Sequence, residues 1–235
     1  MTRPIVVDFH SHILPNLDHG CRKMEDCRKQ LALMSDSGTD IAVATPHFYP
    51  HVHDVALFAD EVDRAIERIQ KANFGKAPEI KIGAEILLYP GLNNMENLER
   101  LCIRGTNVLM IELPYADLTD NHIRTLEYML RDGYRVILAH IDRYLDKFAA
   151  GIDEILSVGA VAQINTRSLF SRFCKKRILK YLEETDKICA VGSDLHGVDK
   201  SAYRKFGKAQ GILSEYYPEI MRRSNSLLEG AQSLL

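Results

Sequence analysis

The sequence predicts an α/β protein whose parallel strands close into a barrel, and three observations lead there. Short β-branched runs alternate with amphipathic helical stretches along the chain. The runs are apolar almost without a break, as strands covered on both faces are. Each run also leads into a side chain able to ligate metal or to hydrogen-bond. Parallel strands present their C-terminal ends on one face, so a closed sheet brings all of these residues together. An open sheet would gather only those beside a topological switch point.

The elements follow in order. "PIVVDF" (4–9) is the first strand, and "EDCRKQLALMSDSG" (25–38) is a helix that stops at Gly38. "IAVAT" (41–45) precedes "DVALFADEVDRAIERIQKA" (54–72), where Val55, Phe58, Val62, Ala65, Ile66 and Ile69 form one apolar stripe. "EIKIGA" (79–84) and "VLMIEL" (108–113) are the third and fourth strands. The helix "TDNHIRTLEYMLRDG" (119–133) has Thr119 or Asp120 as its cap and Gly133 as its stop. "RVILAH" (135–140) leads to the helix "DKFAAGIDEILSVG" (146–159), and "VAQIN" (161–165) to the basic helix "RFCKKRILKYLEETD" (172–186). "ICAVGS" (188–193) is the seventh strand, and "YYPEIMRRSNSLLEGAQSLL" (216–235) reads as a closing helix.

The length of 235 residues fits one domain spanning the whole chain, with room for a sizeable core. A 46% hydrophobic composition with mixed charges is that of an ordinary globular protein. The net charge of −2 supplies no argument for nucleic acid or an anionic membrane as partner. No apolar stretch approaches the ~20 residues that span a bilayer. The five cysteines (Cys21, Cys27, Cys102, Cys174 and Cys189) are scattered and odd in number. They read as free thiols in a reducing compartment, so a cytoplasmic location is expected.

The polar strand ends are His10 and His12, His47, Glu85, Glu112, His140, Asn165, and Asp194 with His196. A single His or Glu in such a place is ordinarily a satisfied polar residue. Jointly they differ, because burying so many imidazoles and carboxylates without a cation leaves like charges opposed and polar groups dehydrated. His10 and His12 point the same way by the strand period of two, and Asp8 shares their parity, placed to hold an imidazole N–H from behind. Imidazole and carboxylate without thiolate suit zinc, manganese or iron. There are more donors than one ion uses, which implies two or three.

"DFHSH", "TPH", "GAE", "IELP", "AHIDR" and "SDLH", in this order, resemble the polymerase and histidinol phosphatase (PHP) superfamily. "HSHILP", "ATPHF", "GAEILL", "AHIDRY", "VAQIN" and "GSDLH" are most similar to its bacterial manganese-dependent protein-tyrosine phosphatases of capsule and exopolysaccharide loci. The resemblance covers essentially the whole chain. It implies a distorted (β/α)7 TIM-like barrel with a trinuclear centre of manganese, or of iron or zinc. By the same resemblance, His10, His12, Glu85 and Asp194 hold one ion, and Glu85 bridges to a second held by Glu112 and His140. His47 and His196 hold the third, with a ligand from "LDHG". The subfamily usually has Asp before that glycine where this chain has His19; the wider superfamily accepts His there, so His19 is the expected ligand and Asp18 the reserve. An Arg-Pro pair common downstream of "SDLH" is missing, and Lys200 or Arg204 is expected to take its place on phosphate.

The mechanism so implied is attack on phosphorus by a metal-bridging hydroxide, with Arg143 binding a phosphate oxygen through its planar fork. The expected substrate is a phosphotyrosine-bearing protein, the tail of a tyrosine kinase controlling polysaccharide export. A small-molecule phosphatase such as histidinol-phosphate phosphatase is the nearest alternative, and an inactive metal-stabilised binding module the second. Tyr49, His51 and His53 read as a solvated loop or a lid. His122 reads as exposed, and Arg167, Arg172, Lys175, Lys176 and Arg177 as a basic helix face able to attract an acidic tail.

Overall fold

The computed structural model describes residues 3–115 and 117–229. Residues 230–235 of the expected closing helix lie outside them. The seven runs fold as ten strands, every pairing parallel: β1 (Val7–His12), β2 (Ile41–Ala44), β3 (His47–Phe48), β4 (Glu79–Ile82), β5 (Glu85–Leu87), β6 (Val108–Glu112), β7 (Arg135–Leu138), β8 (Val161–Asn165), β9 (Ile188–Gly192) and β10 (Leu195–His196). The difference in count has a physical cause. Three of the runs are broken near their C-terminal ends, at Thr45-Pro46, Gly83-Ala84 and Ser193-Asp194. Pro46 has no N–H for a ladder, and Asp194 sits at φ +50°.

The breaks build the barrel. One sheet has the order β10-β1-β2-β4 and the other β3-β5-β6-β7-β8-β9. Each broken run has its first half in one sheet and its second half in the other, so the two sheets form one ring. At the closure the Asp194 N–H donates to His10 O at 2.8 Å. Gly192 allows the approach: a Cβ there would lie 2.5 Å from His10 Cβ and 2.7 Å from Gln163 Nε2. Val43, Met110, Ile137 and Ala190, from strands around the ring, pack in one buried apolar cluster.

Among the described residues seven α-helices accompany the strands: α1 (Met24–Asp36), α2 (Val55–Ala72), α3 (Asp120–Arg131), α4 (Ala149–Ser157), α5 (Arg172–Glu184), α6 (Lys200–Leu213) and α7 (Tyr216–Leu228). The stripe expected on the second helix is buried at all six positions. Gly38, Gly133 and Gly159 end helices with φ of +88°, +92° and +121°, conformations in which a Cβ is strained. Thr119 caps α3, and its N–H donates to His122 Nδ1 at 3.1 Å, so His122 is a capping residue. Helix α6 has no counterpart among the sequence expectations. Gly207 and Gly211 weaken its local signal, and Gly207 brings it close to the end of α1, where a Cβ would lie 3.3 Å from Ser37 O. No helix among the described residues is long and apolar enough to cross a membrane.

Two glycine substitutions test the ring closure. Gly192→Ala is expected to destabilise the fold by about 1–3 kcal/mol through forced displacement at β1. Gly211→Ala, with nothing within 4 Å of its Cβ, is expected to stabilise it by about 0.5–1 kcal/mol. Denaturant midpoints of the two variants, with unchanged m-values, check both signs.

Candidate metal centre

The strand ends converge at the C-terminal mouth of the ring. His10 and His12 lie on one face of β1 as their spacing requires, with their Nε2 atoms 3.1 Å apart. Glu85, first residue of β5, is the hub. Its Oε2 lies 3.1 Å from His10 Nε2, 3.3 Å from His12 Nε2 and 3.0 Å from His47 Nδ1. Its other oxygen lies 2.7 Å from His140 Nε2. Asp194 Oδ1 approaches His10 and His12 at 3.6 and 3.5 Å. His196 Nε2 faces His47 Nε2 at 3.4 Å, and Glu112 Oε1 is 3.7 Å from His140 Nε2.

Four groups of three have donor atoms mutually within 4.8 Å: His12, His47 and His196; His10, Glu85 and His140; His10, His12 and Asp194; and His47, Glu85 and Glu112. His19 stacks its ring on His196 and His47, with centroids 4.4 and 5.0 Å away. The structure thus brings all nine sequence-derived candidate ligands to one mouth. Two of them, His140 and Asp194, have left-handed backbones at φ +32° and +50°. Such conformations cost a non-glycine residue of order 1–3 kcal/mol each and cluster at functional sites.

The donors fit cations and do not fit one another. His47 Nδ1 and Glu85 Oε2 approach closely, yet neither atom has an aligned hydrogen bond, and His140 Nδ1 is also buried without a partner. An unsatisfied buried polar group costs about 1–3 kcal/mol. The Nδ1 atoms of His10, His12, His47 and His196 each face an oxygen, and with the proton held there the paired Nε2 atoms of His10 and His12, and of His47 and His196, face each other as lone pairs. Burial and the charge of Glu85 push the Glu112 carboxyl up, whereas Glu85, despite its burial, is held well below its ordinary range by the surrounding imidazoles. Burial and neighbouring histidines lower His196 to about 4, which leaves a neutral imidazole ready to donate a lone pair. Nitrogen and oxygen donors without sulfur are those of zinc, manganese or iron.

Behind the donors lie groups that orient them. Asp18 Oδ2 accepts from His12 Nδ1 at 2.7 Å and from the His47 N–H at 3.2 Å, and Asp18 Oδ1 accepts from the Gly20 N–H at 2.8 Å. Burial opposes its charge, but these bonds outweigh burial and hold the carboxylate below its ordinary range. Asp18 therefore fixes the tautomer of His12 and leaves Nε2 free, while His19 faces the other imidazoles. Gln163 Oε1 accepts from the His140 N–H at 2.7 Å and faces His10 Nδ1 at 3.3 Å. Gln163 Nε2 donates to Asn165 Oδ1 at 3.0 Å, and Asn165 Nδ2 to Asp194 Oδ2 at 2.8 Å.

Gln163 was not among the sequence candidates, although its period-2 relation to Asn165 in "VAQIN" was there to be read. Asp8 departs from expectation. Its Oδ1 accepts from the Ser193 N–H at 2.8 Å and holds the ring closure, and no imidazole N–H reaches it. Burial raises it to about 6. Arg143 lies over the donors, its guanidinium against Asp194 and 3.3 Å from His140 Nε2. Lys200 and Arg204 do not join the mouth: they line a groove with Leu33, Asp36, Ser37 and Gly207, because α6 turns them toward α1. Tyr49 stacks on His47 at 5.4 Å, and His53 Nδ1 accepts the Tyr49 N–H, so this segment is a tied turn rather than an open loop.

A closed parallel barrel with buried nitrogen and oxygen donors at its C-terminal mouth defines a barrel protein built around divalent metal. A family model described as capsular polysaccharide synthesis, CpsB/CapC, matches residues 6–225, and the chain belongs to that family. The tyrosine-protein phosphatase CpsB of Streptococcus agalactiae is 27% identical over 260 aligned positions, covering 98% of each chain. The tyrosine-protein phosphatase YwqE of Bacillus subtilis is 27% identical over 201 positions, covering 82% of this chain and 78% of its own. A chain from the crystal structures of YwqE from Bacillus subtilis and CpsB from Streptococcus pneumoniae, described as unique metal-dependent tyrosine phosphatases, superposes with a TM-score of 0.80 at 23% identity. The superposition covers 96% of both chains and agrees with the expected barrel.

The role of Asp18 behind His12 is open to direct measurement. Asp18→Asn is expected to weaken metal binding by about 10–100-fold, as loss of a carboxylate behind a ligating histidine does. Calorimetric titration with manganese checks it, and undiminished affinity would exclude that role.

Proposed function

We propose that this chain is a metal-dependent phosphotyrosine-protein phosphatase that acts in the cytoplasm on a tyrosine kinase controlling capsule or exopolysaccharide export. The observation that carries the reading is the convergence of His10, His12, His47, Glu85, Glu112, His140, Asp194 and His196 beneath the guanidinium of Arg143. Family membership and the names of the relatives support it.

His10, His12, Glu85 and Asp194 would hold one ion, and Glu85, Glu112 and His140 a second. His47 and His196 with His19 would hold a third, manganese being the expected metal. When bound, the ions supply Lewis acidity and a water whose pKa is lowered toward neutrality. Asp18, Gln163 and Asn165 hold His12, His10, His140 and Asp194 in their ligating orientations. Arg143, whose side chain is 40% exposed, has its fork at the rim, where its N–H groups can donate to two oxygens of an incoming phosphoryl group. Tyr49, stacked on His47, offers an aromatic wall for a phosphotyrosyl ring. The departing phenolate has a pKa of about 10 and needs little acid assistance.

Hydrolysis of a phosphotyrosyl peptide, p-nitrophenyl phosphate and histidinol phosphate, measured with manganese and after chelation, tests the proposal. The first two are expected to be cleaved, with activity lost on chelation and regained with manganese. Arg143→Ala is expected to lower kcat/KM by about 10²–10³ while retaining its metal. His10→Ala is expected to lose metal by elemental analysis. A preference for histidinol phosphate, or turnover indifferent to chelation, would overturn the reading.

A further inference from the structure

The loop after β8 and the start of α5 carry an uncompensated positive charge. No Asp or Glu occurs between Glu154 and Glu183, although the chain has 32 acidic residues in 235. Within this interval the side chains of Arg167, Arg172, Lys175 and Lys176 make no ion pair or hydrogen bond among the described residues. Two aromatic rings stand among them: Phe173 is 81% exposed and Phe170 41% exposed, with Lys205 of α6 over the Phe170 ring at 5.9 Å. The first turn of α5 holds no acid. Cations there oppose the helix dipole, so local helix stability does not account for them.

Position gives this ledge its meaning. The loop begins at Thr166, directly after Asn165, whose side chain bonds to Asp194 in the metal centre. A 3₁₀ turn over Thr166–Phe170 at about 2 Å per residue is roughly 10 Å long, so Arg172 lies within about that reach of the strand end. An extended peptide covers that distance in about three residues. A phosphotyrosine seated at the metal centre would thus place its neighbours, about three positions along, over Arg172, Phe173 and Lys176.

We infer that this ledge binds an acidic segment flanking the phosphotyrosine of a protein substrate, with carboxylates meeting Arg172 and Lys176 and an apolar side chain meeting Phe173. The inference rests on the phosphatase reading and adds to it a preference for substrate sequence. A polypeptide fits better than a membrane, because the cations lie on one loop beside the catalytic mouth while the chain as a whole has a charge of −2.

Two phosphotyrosyl peptides test it, one with Glu at the third and fourth positions on both sides and one with Gln there. Turnover is measured, and binding is followed by fluorescence anisotropy, for the wild-type chain, for R172E/K176E, for F173A and for K187E/K208E, a matched charge reversal just before β9 and in mid-α6. The wild-type chain is expected to favour the acidic peptide at least tenfold in kcat/KM, mainly through KM, with the preference shrinking as salt rises. R172E/K176E is expected to abolish it without changing p-nitrophenyl phosphate turnover, F173A to weaken it, and K187E/K208E to leave it intact. Cleavage of both peptides without discrimination, or a preference that survives R172E/K176E, overturns the ledge. Binding discrimination without cleavage of any substrate keeps the ledge and rejects the phosphatase reading. Cosedimentation with phosphatidylglycerol vesicles that R172E/K176E abolishes, with peptide preference intact, assigns the patch to a membrane and overturns the proposal.

Discussion

The mutual electrostatic incompatibility of the groups packed into the barrel mouth is the constraint on which the rest of the structure depends. Imidazoles that hold their proton on Nδ1 present lone pairs to one another, protonated ones repel, and carboxylates repel unless one takes a proton. The two carboxyls are pushed in opposite directions: the imidazoles favour the charged form of Glu85, while burial and the charge of Glu85 raise Glu112, although both lie in one group with His47. Divalent cations relieve every part of it at once. Donors aimed inward at no proton are what a metal centre requires and what an ordinary core excludes.

The broken strands follow from the same requirement. An unbroken strand offers inward positions only at every second residue, and a regular barrel spaces them evenly. Breaks at Thr45-Pro46, Gly83-Ala84 and Ser193-Asp194 re-aim the chain just before His47, Glu85 and His196. The left-handed turn at His140 does the same for β7, and it folds the chain back so that the Arg143 N–H bonds to His140 O at 3.0 Å. Strain at His140 and Asp194 is offset by bonds from β8, which belongs to the one run of the seven that leads into none of the candidate ligands. Gln163 and Asn165 hold these two residues at the backbone and the carboxylate respectively.

What was legible in the sequence was whatever depends on local period or residue type. His10 and His12 were readable from alternation alone, and the helix stops from Gly38, Gly133 and Gly159. The barrel followed from the even distribution of polar strand ends. Contacts between strands distant in sequence were not legible. Asp8 has the parity of a supporting carboxylate but finds the Ser193 N–H, 185 positions away, before it finds a ring nitrogen. Lys200 has the right charge and distance along the chain, yet the unforeseen helix α6 sets its direction. Two glycines hide that helix, and one of them is there for packing against α1 rather than for a turn.

The two histidines of β1 look equivalent in sequence and are not equivalent in the fold. His12 Nδ1 donates to the ionised carboxylate of Asp18 at 2.7 Å, while His10 Nδ1 faces the neutral amide of Gln163 at 3.3 Å. A carboxylate partner raises imidazole basicity more than an amide does. Burial lowers both rings, while Asp18, Asp194 and Glu85 raise His12 and Glu85 and Asp194 raise His10. His12 thus reaches both the group of His10 and Asp194 and the group of His47 and His196, which has no carboxylate of its own. Asp18 supplies the missing negative charge there from one bond further back. A histidine-rich pocket can in this way attract a divalent ion while keeping its carboxylates on the Glu85 side, where charge is shared between neighbouring sites.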